Sequence, residues 1–299
     1  MGTTIIVPSR GETYKVNTGE TVLQRTIKDI YEKATGEFEV IVTQDGPPFQ
    51  EIPDYPNLTV VNNNEPYGIR PSINQMVYMA KHDYILKTDS HCMFGYGFNE
   101  ILRTDMQDNW IVTPRFFVLD AETWQIQDPW WYDYFYLSCP FTDPMHFGFK
   151  AGGHWKARTQ ERTAKEYDID ETMQIHGSCW FVKKDFFQNT LKGMSSEGYD
   201  INYMEPPELC LKTWLVHGGK VMVNKRTWYA HMHKGYQRGA SWDLGAERVK
   251  HSYEWTANHW LRNEEPNQIH KLDWLIEKFW PIPTWTNDWK EVYNKYLKK

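Results

Sequence analysis

Short β-branched and apolar runs alternate with helical spacing along the first ninety residues of the chain. The runs are Thr3 to Pro8 (TTIIVP), Phe38 to Thr43 (FEVIVT, ending in Gln44-Asp45-Gly46), Leu58 to Val61, and Tyr84 to Leu86. Between the first two, Val22, Ile27, Ile30 and Tyr31 fall on one helical face; after the loop Asn62 to Arg70, a second helix is predicted from about Pro71 to Ala80. Strands and helices alternating in units of about 25–35 residues predict an α/β domain on a parallel, doubly wound sheet. Beyond Ser241 the texture changes. Trp recurs at 242, 255, 260, 274, 280, 285 and 289, with helices predicted near Ala246 to Asn263 and Asn267 to Phe279. Pro281 and Pro283 interrupt that pattern before a last short helix around Asn287 to Leu297.

The fourth apolar run ends in Asp89-Ser90-His91. Residues two apart on an extended segment point to the same side, so a carboxylate and an imidazole leave this strand end aimed at one point. The pair suits a divalent cation, and in open α/β sheets ligands gather at the carboxyl ends of strands. A bare Asp-x-His is a weak signal, which an Asp capping a turn beside a surface His explains as well. The order of elements around it carries the weight.

That order is strand-Pro, strand-Asp-Gly, a loop with Gly68-Ile69-Arg70, a helix, then strand-Asp-x-His. It resembles the GT-A nucleotide-sugar glycosyltransferases, and most of all the polypeptide N-acetylgalactosaminyltransferases and related family 2-like enzymes with an Asp-x-His metal motif. PYGIRPSINQMVYMAKHDYILKTDSHC is similar to their Gly-Leu-Ile-Arg segment, helix and metal motif. Further on, IHGSCWFVKKDFF, DINYMEPPELCLKTWLVHGGKV and TWYAHMHKGYQRG follow their order of a small-residue segment before a strand, an acidic helix start ending in Gly-Gly, and a strand followed by a ligand His. The resemblance covers roughly residues 3 to 238. It implies a GT-A catalytic domain over 1–238, with a nucleotide-sugar half to about 120 and an acceptor half from 121, and a helical extension over 239–299. That extension either contributes to the acceptor side or is a structural clasp.

The resemblance also implies site residues. Asp89, His91 and His231 would hold Mn²⁺ or Mg²⁺, with His233, two residues on, able to share or replace the third role. A UDP-sugar, or another nucleoside diphosphate sugar, is the expected donor. Pro8, Arg10 and Asp45 would lie along the nucleotide with Asp89, Asp45 being equally readable as a turn residue in Asp-Gly-Pro-Pro. Arg70 has a fork suited to phosphate or sugar hydroxyls. Glu205 and Glu208 take the catalytic positions of the helix start, Glu205 first, although acidic residues in a first turn also favour the helix dipole. Met204 and Pro206-Pro207 depart from the family's Gly-Gly-Glu-Asn, so the donor sugar does not carry over. The expected outcome is retention of configuration; the alternative is inversion with Glu205 or Glu208 as base.

Composition adds boundaries. At 299 residues and 40% hydrophobic content the chain can build one large domain with an appendage, and a formal charge of −6 implies no polyanion-binding surface. Fifteen Trp, eighteen Tyr and fourteen Phe suit sugar rings as readily as a core. Cys92, Cys139, Cys179 and Cys210 show no metal-ligand pairing and read as buried reduced thiols. The opening MGTTIIVPSR has no leader pattern and no stretch reaches membrane-spanning length, so a soluble, cytoplasmic protein is expected. The acceptor stays open among a DNA base of the hydroxymethylated kind, a glycan, a lipid or a small molecule, with no stable nucleic-acid partner required. Basic stretches at Lys150 to Arg162 and Lys225 to Arg238 would suit a phosphate-contacting rim, or be solvated loops. A Gly-rich phosphate loop, as in sugar-phosphate nucleotidyltransferases, is missing from VPSRGETYK. A non-catalytic sugar-binding protein would not need the metal constellation.

Overall fold

The computed structural model describes residues 2–142, 147–149, 153–199, 204–233 and 245–298. Trp242, Lys150 and residues 234–238 of the second basic stretch lie outside them. Strand β1 (Thr3–Ser9), helix α1 (Val22–Lys33), β2 (Phe38–Asp45), β3 (Leu58–Asn63), α2 (Ile69–Met79) and β4 (Tyr84–Thr88) make the alternating first third. β1 pairs in parallel with β2 and β4, and β2 in parallel with β3. All of β1 is buried, which is why its sequence shows a continuous run rather than alternation. Thr21 and Gln24 close the start of α1 by a reciprocal capping box. Before α2, Gly68 sits at φ +103°, a value open to glycine, and donates its N–H to Asp45 Oδ2 over 2.9 Å.

The chain continues through β5 (Cys92–Phe94), α3 (Phe98–Asp105), β6 (Trp110–Asp120) and β7 (Gln125–Tyr132), then the short pair β8 (Phe135–Tyr136) and β9 (Gly153–His154). After these come α4 (Lys156–Glu161), β10 (Ile169–Glu171), β11 (Cys179–Lys183), α5 (Glu205–Leu211) and β12 (Lys220–His231). The central sheet runs β10-β12-β6-β11-β4-β1-β2-β3, with β5 added on β12 and β7 on β6. The α/β class and the parallel β3-β2-β1-β4 half are as expected. Past β4 the sheet becomes mixed, because β11 enters between β4 and β6 antiparallel to both.

The tail forms α6 (Gly245–Leu261), α7 (Leu272–Phe279) and α8 (Trp289–Leu297). α7 starts later than its periodicity predicts, since Asn267 has φ +62° and Lys271 is extended. Trp260, Leu275, Phe279 and Trp289 join Ile73, Trp180 and Leu209 in one apolar cluster, so the tail shares its core with the sheet. No described helix is long and apolar enough to cross a membrane. All four cysteines are free and buried.

Candidate active site

Three strand ends converge. Asp89 follows β4, where its N–H donates to Ser178 O (2.8 Å) at the start of β11. β5 lies antiparallel to the end of β12, setting His231 opposite Cys92, and Met232 N–H donates to His91 O (3.1 Å). Backbone bonding therefore fixes Asp89 against the start of β11 and His91 against the end of β12.

The donor atoms face one another. His91 Nε2 and His231 Nε2 are 2.9 Å apart, His231 Nε2 lies 3.2 Å from Asp89 Oδ2, and His91 Nε2 lies 3.7 Å from that same oxygen. Donor atoms about 2.1 Å from one ion and at right angles to one another stand about 3.0 Å apart. This trio fits a divalent ion, and among the described residues it is the one group of three or more His, Cys, Asp or Glu with that spacing. His231 Nδ1 is buried without a hydrogen-bond partner among the described residues, and Nε2 is the nitrogen that faces the other two donors.

The protonation states agree with ligation. Burial works against ionising Asp89, yet Lys87 and the two imidazoles hold its carboxyl well below the usual carboxylate range. Burial pushes the His231 imidazole well below its ordinary value despite Asp89, leaving it neutral. An anionic carboxylate and a neutral imidazole are the forms that bind a metal.

Two further residues set this geometry, and sequence reasoning missed both. Lys87, 1% exposed, donates from Nζ to Asp89 Oδ1 (2.7 Å) and to Gly177 O (2.7 Å), with Glu205 Oε1 at 3.3 Å. It occupies one oxygen of Asp89 and turns the other toward the imidazoles. Burial disfavours the charge on Lys87, but Asp89 and Glu205 together raise its pKa above the usual lysine range. A lysine inside the apolar run YILKT, two residues before Asp89 and so on the same face, was the available signal. Glu12, in the loop after β1, places Oε1 3.2 Å from His91 Nδ1 and accepts from Ser90 Oγ (3.0 Å). A carboxylate on Nδ1 fixes the tautomer that leaves Nε2 free for a metal. Nothing in its local sequence marks Glu12.

The other expected residues fall as follows. Glu205 begins α5, 2% exposed, and accepts from Trp180 Nε1 as well as facing Lys87; burial raises its pKa against the pull of Lys87. Its neighbour Pro206 lies so close to Gly177 that a Cβ there would meet Pro206 Cγ at 3.0 Å, a reason for a small residue before β11. Glu208 is fully buried: Oε1 accepts from Ser195 N (2.9 Å) and Lys212 Nζ (2.7 Å), and Oε2 pairs with Arg70. Arg70 also donates from Nε to Tyr199 O (2.7 Å), while its Nη2 is buried without a hydrogen-bond partner among the described residues. The structure thus brings Arg70 and Glu208 together, and brings Glu205 to the metal trio through Lys87. Asp45 is buried, accepting from Asn63 Nδ2 and from the N–H groups of Tyr67 and Gly68, each at 2.9 Å. Pro8 lies near the end of β1 and Arg10 just beyond it.

His233 stands outside the trio. It is exposed, its ring centroid 5.0 Å from that of His231, and it lines a cavity of about 140 Å³ with Tyr14, Asp120, Glu122, Gln127 and Met232. His176 stacks on Phe116 at 4.9 Å, and burial together with His233 pushes its imidazole down to about 3. Several of the described residues of the basic stretches are engaged within the molecule. Arg162 pairs with Asp170, Arg226 with Asp105, Lys225 donates to Arg162 O, and the Arg158 guanidinium lies over the rings of Tyr134, Trp155 and Phe279.

Glycosyl transferase family 2 matches over residues 4–191. No curated protein sequence matches the chain. Among solved structures, GalNAc-T7 with UDP, GalNAc and Mn²⁺ superimposes with a TM-score of 0.61 at 14% identity, over 99% of this chain and 50% of that one. The chain thus spans about half the length of that relative. TarS of S. aureus, residues 1–349 with UDP-GlcNAc, gives a TM-score of 0.47 at 11% identity, over 87% of this chain and 73% of that one.

Proposed function

Because the chain belongs to glycosyl transferase family 2 and is a nucleotide-sugar glycosyltransferase of GT-A fold, we propose that it moves a sugar from a UDP-sugar to a hydroxyl acceptor at a divalent metal held by Asp89, His91 and His231. The observation that carries this is the convergence of Asp89 Oδ2, His91 Nε2 and His231 Nε2 within 2.9–3.7 Å. The GalNAc-T7 structure, of the same fold, holds UDP and Mn²⁺, which supports manganese and a uridine donor here. Bound there, the ion supplies Lewis-acid stabilisation to the diphosphate leaving group.

The chain's own residues do the rest. Glu12 holds His91 in the tautomer that presents Nε2, and Lys87 holds Asp89 with Oδ2 toward the two rings. Pro8, Arg10 and Asp45, at the ends of β1 and β2 beside β4, form the nucleotide edge. Asp45 does so by tethering the loop at Tyr67 and Gly68. The Arg70–Glu208 pair stiffens the wall at α5, and Glu205, buried beside Lys87, holds the lysine that positions Asp89.

Retention of configuration is the outcome this arrangement supports. A base that takes the acceptor proton must reach the hydroxyl. Glu205 is 2% exposed and engaged by Trp180 and Lys87, and both oxygens of Glu208 are engaged. The pairing of Arg162 with Asp170, the bond from Lys225 to Arg162 O and the seating of Arg158 among rings move support from a nucleic-acid acceptor toward an uncharged one. Four buried free thiols suit a reducing, cytoplasmic setting.

Calorimetry with UDP tests the assignment. Binding is expected with Mn²⁺, lost in EDTA and lost in Asp89→Ala. Equal UDP affinity in EDTA would overturn the metal site.

A further inference from the structure

A second cavity, of about 370 Å³, lies between β7 and α4. Trp130, Trp131 and Tyr132 form one wall; Lys156, Thr159, Gln160 and Thr163 form the other. Its size is in the range of small-ligand sites. Trp130 is 55% exposed and Trp131 36%. Both rings are held in place: Lys156 Nζ lies 5.3 Å from the Trp130 centroid, and Arg115, itself paired with Asp133, lies 5.1 Å from that of Trp131.

The cavity connects to the metal trio through a short series of rings. Tyr132 contacts His154 at 3.9 Å and Phe116 at 5.5 Å, and Phe116 lies 6.3 Å from His231. A ligand seated against Tyr132 is therefore separated from His231 by two rings, Tyr132 and Phe116.

We propose that this cavity is a subsite for a neutral sugar unit, so that the acceptor is a glycan; the inference rests on the glycosyltransfer reading above. Flat indole faces stack on the apolar side of a pyranose, and the hydroxyls of Thr159 and Thr163 with the Gln160 amide supply the hydrogen-bonding rim that sugar hydroxyls need. The lining carries a single charged side chain, Lys156, so the wall is mainly indole, hydroxyl and amide. Arg158 and Arg162, on α4 and just after it, are engaged by aromatic rings and by Asp170, and Lys156 lies over Trp130.

The test applies the labelled full-length protein to an array of neutral oligosaccharides, acidic oligosaccharides and oligonucleotides with hydroxymethylated bases. Mn²⁺-dependent UDP binding is measured on the same preparations. Retention on neutral glycans is expected; Trp130→Ala should weaken it at least about tenfold, Trp130→Phe should recover part, and UDP affinity should stay within about twofold of wild type in both. Three results overturn the subsite: no neutral glycan retained while UDP binds, the same glycans retained equally by Trp130→Ala, or retention confined to acidic glycans or DNA. Loss of UDP binding in the wild-type protein instead defeats the metal-site reading, and Trp130-dependent glycan retention would still support the cavity.

Discussion

Replacing Lys87 by Met tests the buried charge network most directly. The ammonium group is 1% exposed and faces Asp89 Oδ1 at 2.7 Å and Glu205 Oε1 at 3.3 Å, with Gly177 O completing its contacts at 2.7 Å. Removing one member of a buried ion pair costs about 3–5 kcal/mol, because the partner charge is left uncompensated. Here the stranded group is chiefly Glu205, which is 2% exposed, whereas the Asp89 side chain keeps 23% exposure and the two imidazoles. Burial already raises the Glu205 pKa, and Lys87 is the main opposing influence. Without Lys87 that pKa rises further, so folded Glu205 takes up a proton more readily than unfolded Glu205 does. A group with a raised folded pKa contributes stability at low pH and loses it as pH rises. The Lys87→Met penalty should therefore be larger at pH 7.5 than at pH 5. Urea titrations followed by tryptophan fluorescence give the midpoints. Lys87→Met, Glu205→Gln and the double variant close a cycle, and the double variant should be more stable than the sum of the singles by about 1–3 kcal/mol. Loosening Asp89 should also weaken Mn²⁺-dependent UDP binding about 10–100-fold, as for other residues that orient a ligand. A Lys87→Met protein within about 1 kcal/mol of wild type at pH 7.5, or a cycle with no coupling, refutes the network as described.

Other expectations follow from the same geometry. His231→Ala should abolish Mn²⁺-dependent UDP binding in calorimetry, whereas His233→Ala, exposed and outside the trio, should change it less than about threefold; a larger loss in His233→Ala would move the third ligand. Glu12→Gln should lower metal affinity by about 10–100-fold with no loss of fold, measured by the same calorimetry alongside thermal unfolding, and unchanged affinity would reduce Glu12 to a loop residue. Burial, reinforced by His233, lowers the His154 pKa to about 4, so between pH 6.5 and 4 the unfolded chain binds this proton first and stability falls with pH; discounted for partial exposure the loss is about 1–2 kcal/mol. Wild type should therefore lose stability relative to His154→Gln as pH drops from 7 to 4.5, and a constant difference would count against it. Deleting residues 272–299 removes Leu275, Phe279, Trp285 and Trp289 from the core shared with the sheet, so the truncated chain should show no cooperative unfolding transition; a soluble fragment that unfolds cooperatively and binds UDP would restore the tail as an independent appendage.

Local pattern in the sequence was enough for the alternating first third. Buried parallel strands read as continuous apolar runs and helices as one-faced spacing, and β1 to β4 lie where those periods place them. The Asp89–His91 pair was legible for the same reason, since two residues along an extended chain share a side whatever the rest of the protein does. Tertiary structure alone decided the rest. His231 meets His91 only because β12 lies against β5, which is a matter of sheet order. Arg70 and Glu208, each readable as a group for the substrate, neutralise each other across 138 positions of chain. Lys87 and Glu12 matter only through what burial places beside them, as do Arg158, seated among rings, and Arg162, paired with Asp170. The helical period of the Trp-rich tail says which face is apolar, not what that face meets; in the fold its residues join the cluster that holds Trp180, Leu209 and Ile73. Periodicity is a property of neighbours in sequence, whereas charge pairing, ligand sets and core membership depend on long-range contacts that no local window contains.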